Sequence, residues 1–217
     1  MLSMFKYSIR INESEFFNAA NQELQKIVST SISYAISKTR NLFKQEIKNS
    51  LMQDKTYQQL LDFDDTLYFD IGLSNMASIR DNIVEVVSNS FNLRKLPSRK
   101  NDFGGFSIVI LKDGIQTLLS LPYASYSSKG GQVDWLDWLL TAGTAEVVNN
   151  YKSFYGNFSK WSRTGEAIMI PSKSGGFKFD ADHAGTLDDN WITRSISRIE
   201  SKIQNIFEII INDYIQK

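Results

Sequence analysis

The apolar positions near the C-terminus recur with the period of an α-helix. Polar residues separate six isoleucines that follow one another in alternating steps of four and three: Ile192, Ile196, Ile199, Ile203, Ile206 and Ile210. This spacing places all six on one face of a helix. Thr186, with Asp189 three positions later, matches a capping box. The sequence therefore predicts a helix over residues 186–217 that begins at Thr186.

A second long helix is predicted from Asn12 or Ser14 to about Ile47. This stretch contains no glycine or proline, and its apolar residues keep to one helical face. The apolar face formed by the six isoleucines, called here the C-terminal stripe, requires a partner. If it faced water, the favourable free energy of burying these side chains would be lost. The N-terminal helix of the same chain is the simplest partner, and a coiled coil between copies is the alternative.

The middle of the chain alternates between short helical and short extended patterns. Helical patterns occupy residues 57–63, 73–90 and 133–141, and Gly143 ends the last of them. Extended patterns occupy residues 4–11, 93–97, 106–111, 146–154 and 166–170, whereas residues 115–128 are typical of a surface loop.

These patterns predict an α+β fold. We expect a small antiparallel or mixed sheet of about four strands, packed with two long helices at the N- and C-termini and with shorter helices. No internal repeat or low-complexity linker divides the chain, so we expect one domain over residues 1–217. Its parts are a mostly helical region at 1–90, a strand- and loop-rich region at 91–185 and the C-terminal helix at 186–217.

Composition narrows the possible functions. The 24 basic and 24 acidic residues balance, so bulk charge gives no argument for binding nucleic acid or an acidic membrane. The absence of cysteine excludes thiolate chemistry, and the single histidine excludes a multi-histidine metal site. No stretch has the pattern of a signal peptide or a membrane span, so we expect a protein made in the cytoplasm that needs no membrane.

Two acidic clusters are candidate metal sites. Asp180, Asp182 and His183 are the one histidine–carboxylate cluster, and a metal-dependent hydrolase or nuclease that uses them is the alternative function. Asp62, Asp64 and Asp65 lack the turn glycine and spacing of a calcium loop, which favours a solvated helix end. Neither cluster predicts an enzyme strongly, so we expect a non-enzymatic protein without a cofactor.

Three short segments together resemble the neck, or tail-completion, proteins of tailed bacteriophages. The first is Trp135-Leu136-Asp137-Trp138-Leu139-Leu140 with Gly143, and the second is Ser162-Arg163-Thr164-Gly165 leading into Ala167-Ile168-Met169. The third is Ala184-Gly185-Thr186 with Asp189-Asn190-Trp191-Ile192-Thr193-Arg194. The resemblance covers roughly residues 104–195. The chain departs from the family pattern at residues 177–183, where an apolar, proline-containing strand would be expected.

The resemblance implies a structural virion protein that forms a homo-oligomeric ring at the head–tail junction. Its partners would be a portal-bound adaptor or connector protein on one side and a tail terminator or tail tube protein on the other. DNA would pass through the lumen without sequence recognition. A helical interaction module of the host is a further alternative.

Loop aromatics and arginines are the candidate interface residues. The 120–132 and 151–161 loops carry aromatic side chains that either dock on partner rings or cover the domain's own core. Arg194 and Arg198, early in the last helix, are predicted to pair with carboxylates of an adjacent subunit. The full candidate set is Tyr123, Tyr126, Tyr155, Trp161, Arg163, Arg194 and Arg198.

Overall fold

A computed structural model describes residues 12–61, 66–99, 104–111, 113–128, 131–158 and 160–216. Within these ranges the helices are α1 (Glu13–Met52), α2 (Lys55–Gln59), α3 (Thr66–Ile71), α4 (Met76–Ser90), α5 (Gln116–Leu119), α6 (Trp135–Thr141) and α7 (Trp191–Ile215). The strands are β1 (Asn92–Leu96), β2 (Gly105–Val109), β3 (Tyr126–Ser128), β4 (Gly131–Val133), β5 (Tyr151–Tyr155) and β6 (Ala167–Pro171). The predicted strand at 4–11 and the acidic cluster at 62–65 lie outside the described residues.

The two long helices pack against each other in antiparallel orientation, which confirms the intramolecular pairing. Tyr34 of α1 meets Tyr214 near the end of α7, with ring centroids 4.8 Å apart. Farther along α1, Glu46 pairs with Lys202 at 2.6 Å. Helix α1 has 40 residues, or about 60 Å. Because Tyr34 already lies at the end of α7, the first turns of α1 extend beyond their partner.

A continuous buried cluster runs from the pair of long helices to the short elements. Phe207 of α7 lies between Phe43 of α1 and Phe106 of β2, with ring centroids 6.4 and 3.6 Å away. Trp135 and Trp191 are the largest fully buried side chains. Stacked and tilted rings fill a core efficiently, so these aromatics fix how the helices sit on the hairpins.

Helix α7 begins with a capping box at Asn190, not at Thr186 as the sequence pattern predicts. The Asn190 side chain accepts hydrogen bonds from the backbone N–H groups of Ile192 and Thr193, both at 3.1 Å. In return, the Thr193 hydroxyl accepts from the backbone N–H of Asn190 at 2.8 Å. Both halves of the box are therefore present four residues later than expected.

Thr186 instead closes a small loop in front of α7. Its hydroxyl accepts from the backbone N–H of Asp189 at 3.2 Å, as a cap would. However, the backbone N–H of Thr186 also donates to the Asp189 carbonyl at 2.8 Å, which folds residues 186–189 back on themselves. The sequence cannot distinguish a helix cap from this closed loop, because in both the Thr186 hydroxyl accepts a hydrogen bond from the backbone N–H of Asp189.

The strands form three separate two-stranded antiparallel sheets, not the single sheet of about four strands that the sequence predicts. The pairs are β1–β2, β3–β4 and β5–β6. The predicted strand at 146–154 starts only at Tyr151, because Val148 makes just one antiparallel bridge, to Phe177. The predicted loop at 115–128 contains both α5 and β3. The helices predicted at 73–90 and 133–141 are confirmed as α4 and α6.

Candidate docking groove

An open groove of about 1310 Å³ lies between short elements on one side of the molecule. Its walls come from the end of α3, the β3–β4 hairpin, the β5–β6 hairpin and the loop at 160–164, while α6 contributes the floor. Three of the predicted interface residues line it: Tyr126, Trp161 and Arg163.

Arg163 is held in place by the residues around it. Its guanidinium lies over the Tyr126 ring, 3.8 Å from the ring centroid, and donates to the Ser127 carbonyl at 2.8 Å. The Ser162 hydroxyl shapes the turn, because it accepts from the backbone N–H groups of Gly165 at 3.1 Å and Ala167 at 3.3 Å. Arg163 therefore presents a fixed positive charge at the groove wall.

Tyr126 fixes the β3–β4 hairpin to α3. Its hydroxyl donates to the Ile71 carbonyl at 2.7 Å, just before Gly72 ends that helix with φ +72°. Burial raises the pKa of the Tyr126 phenol, and the nearby Arg163 charge opposes that shift. The phenol therefore stays neutral and acts as a donor at physiological pH.

Trp161 is the most conspicuous side chain at the groove. It is 79% exposed, more than any other large hydrophobic side chain in the described part of the chain. Lys160 precedes it and Arg163 follows two positions later. Neither cation pairs with a carboxylate among the described residues. This exposed indole between two cations makes the groove a candidate docking surface.

The β5–β6 hairpin is anchored to α3 through Asp70. The hydroxyls of Ser153 and Tyr155 both donate to Oδ1 of Asp70 at 2.6 Å. Tyr155 is also a predicted interface residue. It does not line the groove, but its hydrogen bond to Asp70 helps to position the β5–β6 wall. Sequence reasoning missed Asp70, because a single acidic residue near the end of a short helix carries no distinctive pattern.

Tyr123 does not line the groove, but its backbone contacts a tryptophan that does. Its backbone carbonyl accepts a hydrogen bond from Nε1 of the buried Trp135 at 2.7 Å. Burial raises the pKa of its phenol. Trp135 and Trp138 of α6 contribute to the groove lining. Trp135 is buried in the core, and Trp138 is partly buried against it.

Arg194 and Arg198 lie away from the groove and already have carboxylate partners in the same chain. Nη1 of Arg194 is 3.1 Å from Oδ1 of Asp189, and Nη2 of Arg198 is 2.9 Å from Oδ2 of Asp54. Their pairing with an adjacent subunit stays a prediction, and each would first have to leave an intramolecular partner.

The histidine–carboxylate cluster shows local structural contacts. Asp182 pairs with Lys55 at 2.6 Å, and this hydrogen bond and charge lower the pKa of its carboxyl group. Oδ1 of Asp180 accepts from the backbone N–H of Asp182 at 3.0 Å, and His183 is buried. In the ranges that the structure describes, no three acidic or histidine side chains form a group that could hold a metal ion.

Comparisons with protein-family models, with curated proteins and with solved structures each found no match. Among the described helices, none is long and apolar enough to cross a membrane. The groove is thus the feature of the described structure on which a function can be proposed.

Proposed function

We propose that this chain is a non-enzymatic virion protein that forms a ring in the neck of a tailed phage and joins the portal or connector to the tail. The observation that carries the proposal is the open groove, where Trp161 is exposed between Lys160 and Arg163. Exposed aromatic side chains that a partner can bury, beside fixed charges, are typical of protein docking surfaces. The resemblance of residues 104–195 to neck proteins indicates which class of protein would bind in the groove, namely other proteins of the virion.

The elements behind the groove suit a subunit of a stable assembly. Helices α1 and α7 pack along each other, and hydrogen bonds tie the groove walls to α3 at Asp70 and Ile71. A surface built on such fixed elements loses little conformational entropy when it binds. This rigidity favours a stable assembly role over a mobile active site.

The proposed partners follow from the position in the neck. Copies of the chain form the ring, a portal-bound adaptor contacts one face, and a tail terminator or tail tube protein contacts the other. Zero net charge supports a lumen through which DNA passes without being gripped or read. The protein is made in the host cytoplasm and ends in the virion neck, with no membrane partner.

The mass of the purified protein in solution tests the proposal. Light scattering over a range of concentrations should give a mass that corresponds to several copies, and negative-stain images of the same sample should show closed rings. Addition of the ring to isolated heads and tails should increase the fraction that join. A protein that neither forms rings nor changes head–tail joining would contradict the proposed function.

A further inference from the structure

The groove has a complement elsewhere on the same chain. Leu187 is 62% exposed, and it is followed directly by Asp188 and Asp189. This places an exposed apolar side chain beside carboxylates, whereas the groove places an exposed indole between cations. Leu187 does not line the groove. The chain therefore carries two separate exposed apolar side chains, one next to acidic residues and one between basic residues. The acidic Asp70 also lines the groove, where it accepts hydrogen bonds from Ser153 and Tyr155.

The loop that carries Leu187 is held in a defined conformation before any partner binds. The loop at 186–189 is closed by the two hydrogen bonds between Thr186 and Asp189. The Asn190 side chain reinforces it by donating to the Thr186 carbonyl at 2.9 Å. Leu187 and Asp188 lie at the tip of this closed loop. A rigid, projecting loop loses little entropy when it enters a groove.

Each of the two surfaces also has a charged side chain without an ion-pair partner among the described residues, and the two charges are opposite in sign. Asp189 shares its charge with Arg194, but Asp188 pairs with no cation in the described part of the chain. Lys160 likewise pairs with no carboxylate there. Asp188 and Lys160 are therefore charges of opposite sign that each lie next to an exposed apolar side chain, Leu187 and Trp161 respectively.

We infer that the groove receives the Leu187 loop of a second copy of this chain, with Leu187 against Trp161 and Asp188 facing Lys160 and Arg163. Because the two surfaces differ, the contact is head-to-tail, and a pair of copies still offers one free groove at one end and one free loop at the other. Such a heterologous contact builds a closed ring when its rotation closes and an open chain when it does not. The inference rests on the proposed ring function and names the surfaces that form it.

Cross-linking of single-cysteine variants tests the contact directly, since the chain has no cysteine of its own. Thr164→Cys marks the groove and Asp189→Cys marks the loop, while the inferred contact residues stay intact. A mixture of the two variants treated with a short bis-maleimide should give a cross-linked pair. The matched control replaces Asp189→Cys by Gln204→Cys on the exposed side of α7, and this mixture should give little product.

Variants of the contact residues measure its strength. Trp161→Ala should weaken self-association by about thirtyfold or more, as expected for a central tryptophan. Lys160→Glu should weaken it through repulsion from Asp188, and adding Asp188→Lys in the same chain should restore it by reversing both charges. Raising the salt concentration should weaken self-association of the wild type, because salt screens Asp188 from Lys160 and Arg163.

The outcomes separate the inference from the proposed function. Rings that still form in Trp161→Ala and Lys160→Glu, without the groove–loop cross-link, would overturn the inference and leave the ring function standing. Cross-linked open chains without rings would support the contact and contradict the neck ring. A wild-type chain that remains monomeric and uncross-linked up to its solubility limit would overturn the inference, and it would overturn the proposed function as well if head–tail joining is also unchanged.

Discussion

Asp54 and Arg198 join the end of α1 to the start of α7 through an ion pair of 2.9 Å. Only 7% of the Asp54 side chain is exposed, and its other oxygen caps α2 by accepting from the backbone N–H of Thr56 at 3.0 Å. Close by, the Ser50 hydroxyl donates to the Ser195 carbonyl at 2.7 Å. The two long helices are therefore fixed by polar contacts at this end and by aromatic packing along the rest.

Arg198→Ala should destabilise the fold, because it leaves the buried carboxylate of Asp54 without its cation. Breaking a fully buried ion pair costs about 3–5 kcal/mol, but about half of the Arg198 side chain is exposed and water screens the pair. We expect a loss of about 1–3 kcal/mol in the free energy of unfolding, measured by urea denaturation. Arg194→Ala is the matched control and should cost less than about 1 kcal/mol, since its pair with Asp189 is exposed. Equal losses would show that burial of Asp54 does not matter.

Gly185→Ala should also destabilise the fold, since Gly185 joins α6 to the loop before α7. Its N–H donates to the Leu139 carbonyl at 3.0 Å, and its carbonyl accepts from the N–H of Gly143 at 2.8 Å. A Cβ at this position would lie 2.5 Å from Cβ of Asn190 and 3.1 Å from the Leu139 oxygen. Since backbone would have to move, we expect a loss of about 1–3 kcal/mol in thermal or urea unfolding.

Gly105→Ala is the control for this substitution. The nearest atom to an added Cβ there is the flexible end of the Leu96 side chain at 3.9 Å, so stability should change little. A Gly185→Ala protein as stable as Gly105→Ala would show that the α6–α7 junction can relax at no cost.

The two long helices, α1 and α7, could be predicted from the sequence, because a helix depends on the spacing of apolar residues that are close together in the chain. The stripe from Ile192 to Ile210 needed a partner of similar length, and α1 is the one that the chain provides. The start of α1 was also predictable, since Asn12 caps it by accepting from the backbone N–H of Glu15. These features depend on residues three or four positions apart.

The sheets and the groove could not be predicted in the same way. Hairpins β3–β4 and β5–β6 meet α3 through contacts such as Tyr126 to Ile71 and Ser153 to Asp70, which join residues 55 and 83 positions apart. No local pattern encodes such distant pairings. The sequence marked Tyr126, Trp161 and Arg163 as loop residues of interest, but only the fold brings them to one groove.

Glu85 should make the stability of the protein sensitive to acid. Lys44, Asn89 and Lys48 donate to its carboxylate, and these hydrogen bonds lower the pKa of Glu85 to about 2. A depressed pKa stabilises the folded state above the unfolded value, near 4.5, and this contribution is lost as the pH falls from there toward 2. The melting temperature of the wild type should therefore decrease across that window more steeply than that of Glu85→Gln.

Glu208→Gln is the control for the acid transition. Glu208 is exposed on α7 and takes part in no ion pair within the described residues, so its variant should follow the wild-type pH dependence. If Glu85→Gln also follows the wild type from pH 5 to pH 2, the pairing with Lys44 and Lys48 does not persist in solution.

Asp70→Ala should loosen the β5–β6 wall of the groove without unfolding the protein. It removes the one oxygen that accepts from both Ser153 and Tyr155. We expect the backbone amides of β5 to exchange with deuterium about fivefold to tenfold faster, which corresponds to about 1 kcal/mol of local stability. Amides of α7 around Ile203, in the buried core, should keep their exchange rates.

Single-donor variants show whether the Asp70 contact itself is responsible. Tyr155→Phe and Ser153→Ala each remove one hydroxyl and leave the other, so each should accelerate β5 exchange less than Asp70→Ala does. Tyr155→Phe should have the smaller effect, because the Tyr155 side chain is exposed whereas Ser153 is half-buried. Unchanged β5 exchange in Asp70→Ala would mean that strand pairing with β6 alone holds this wall, and the wall would then keep its position without Asp70.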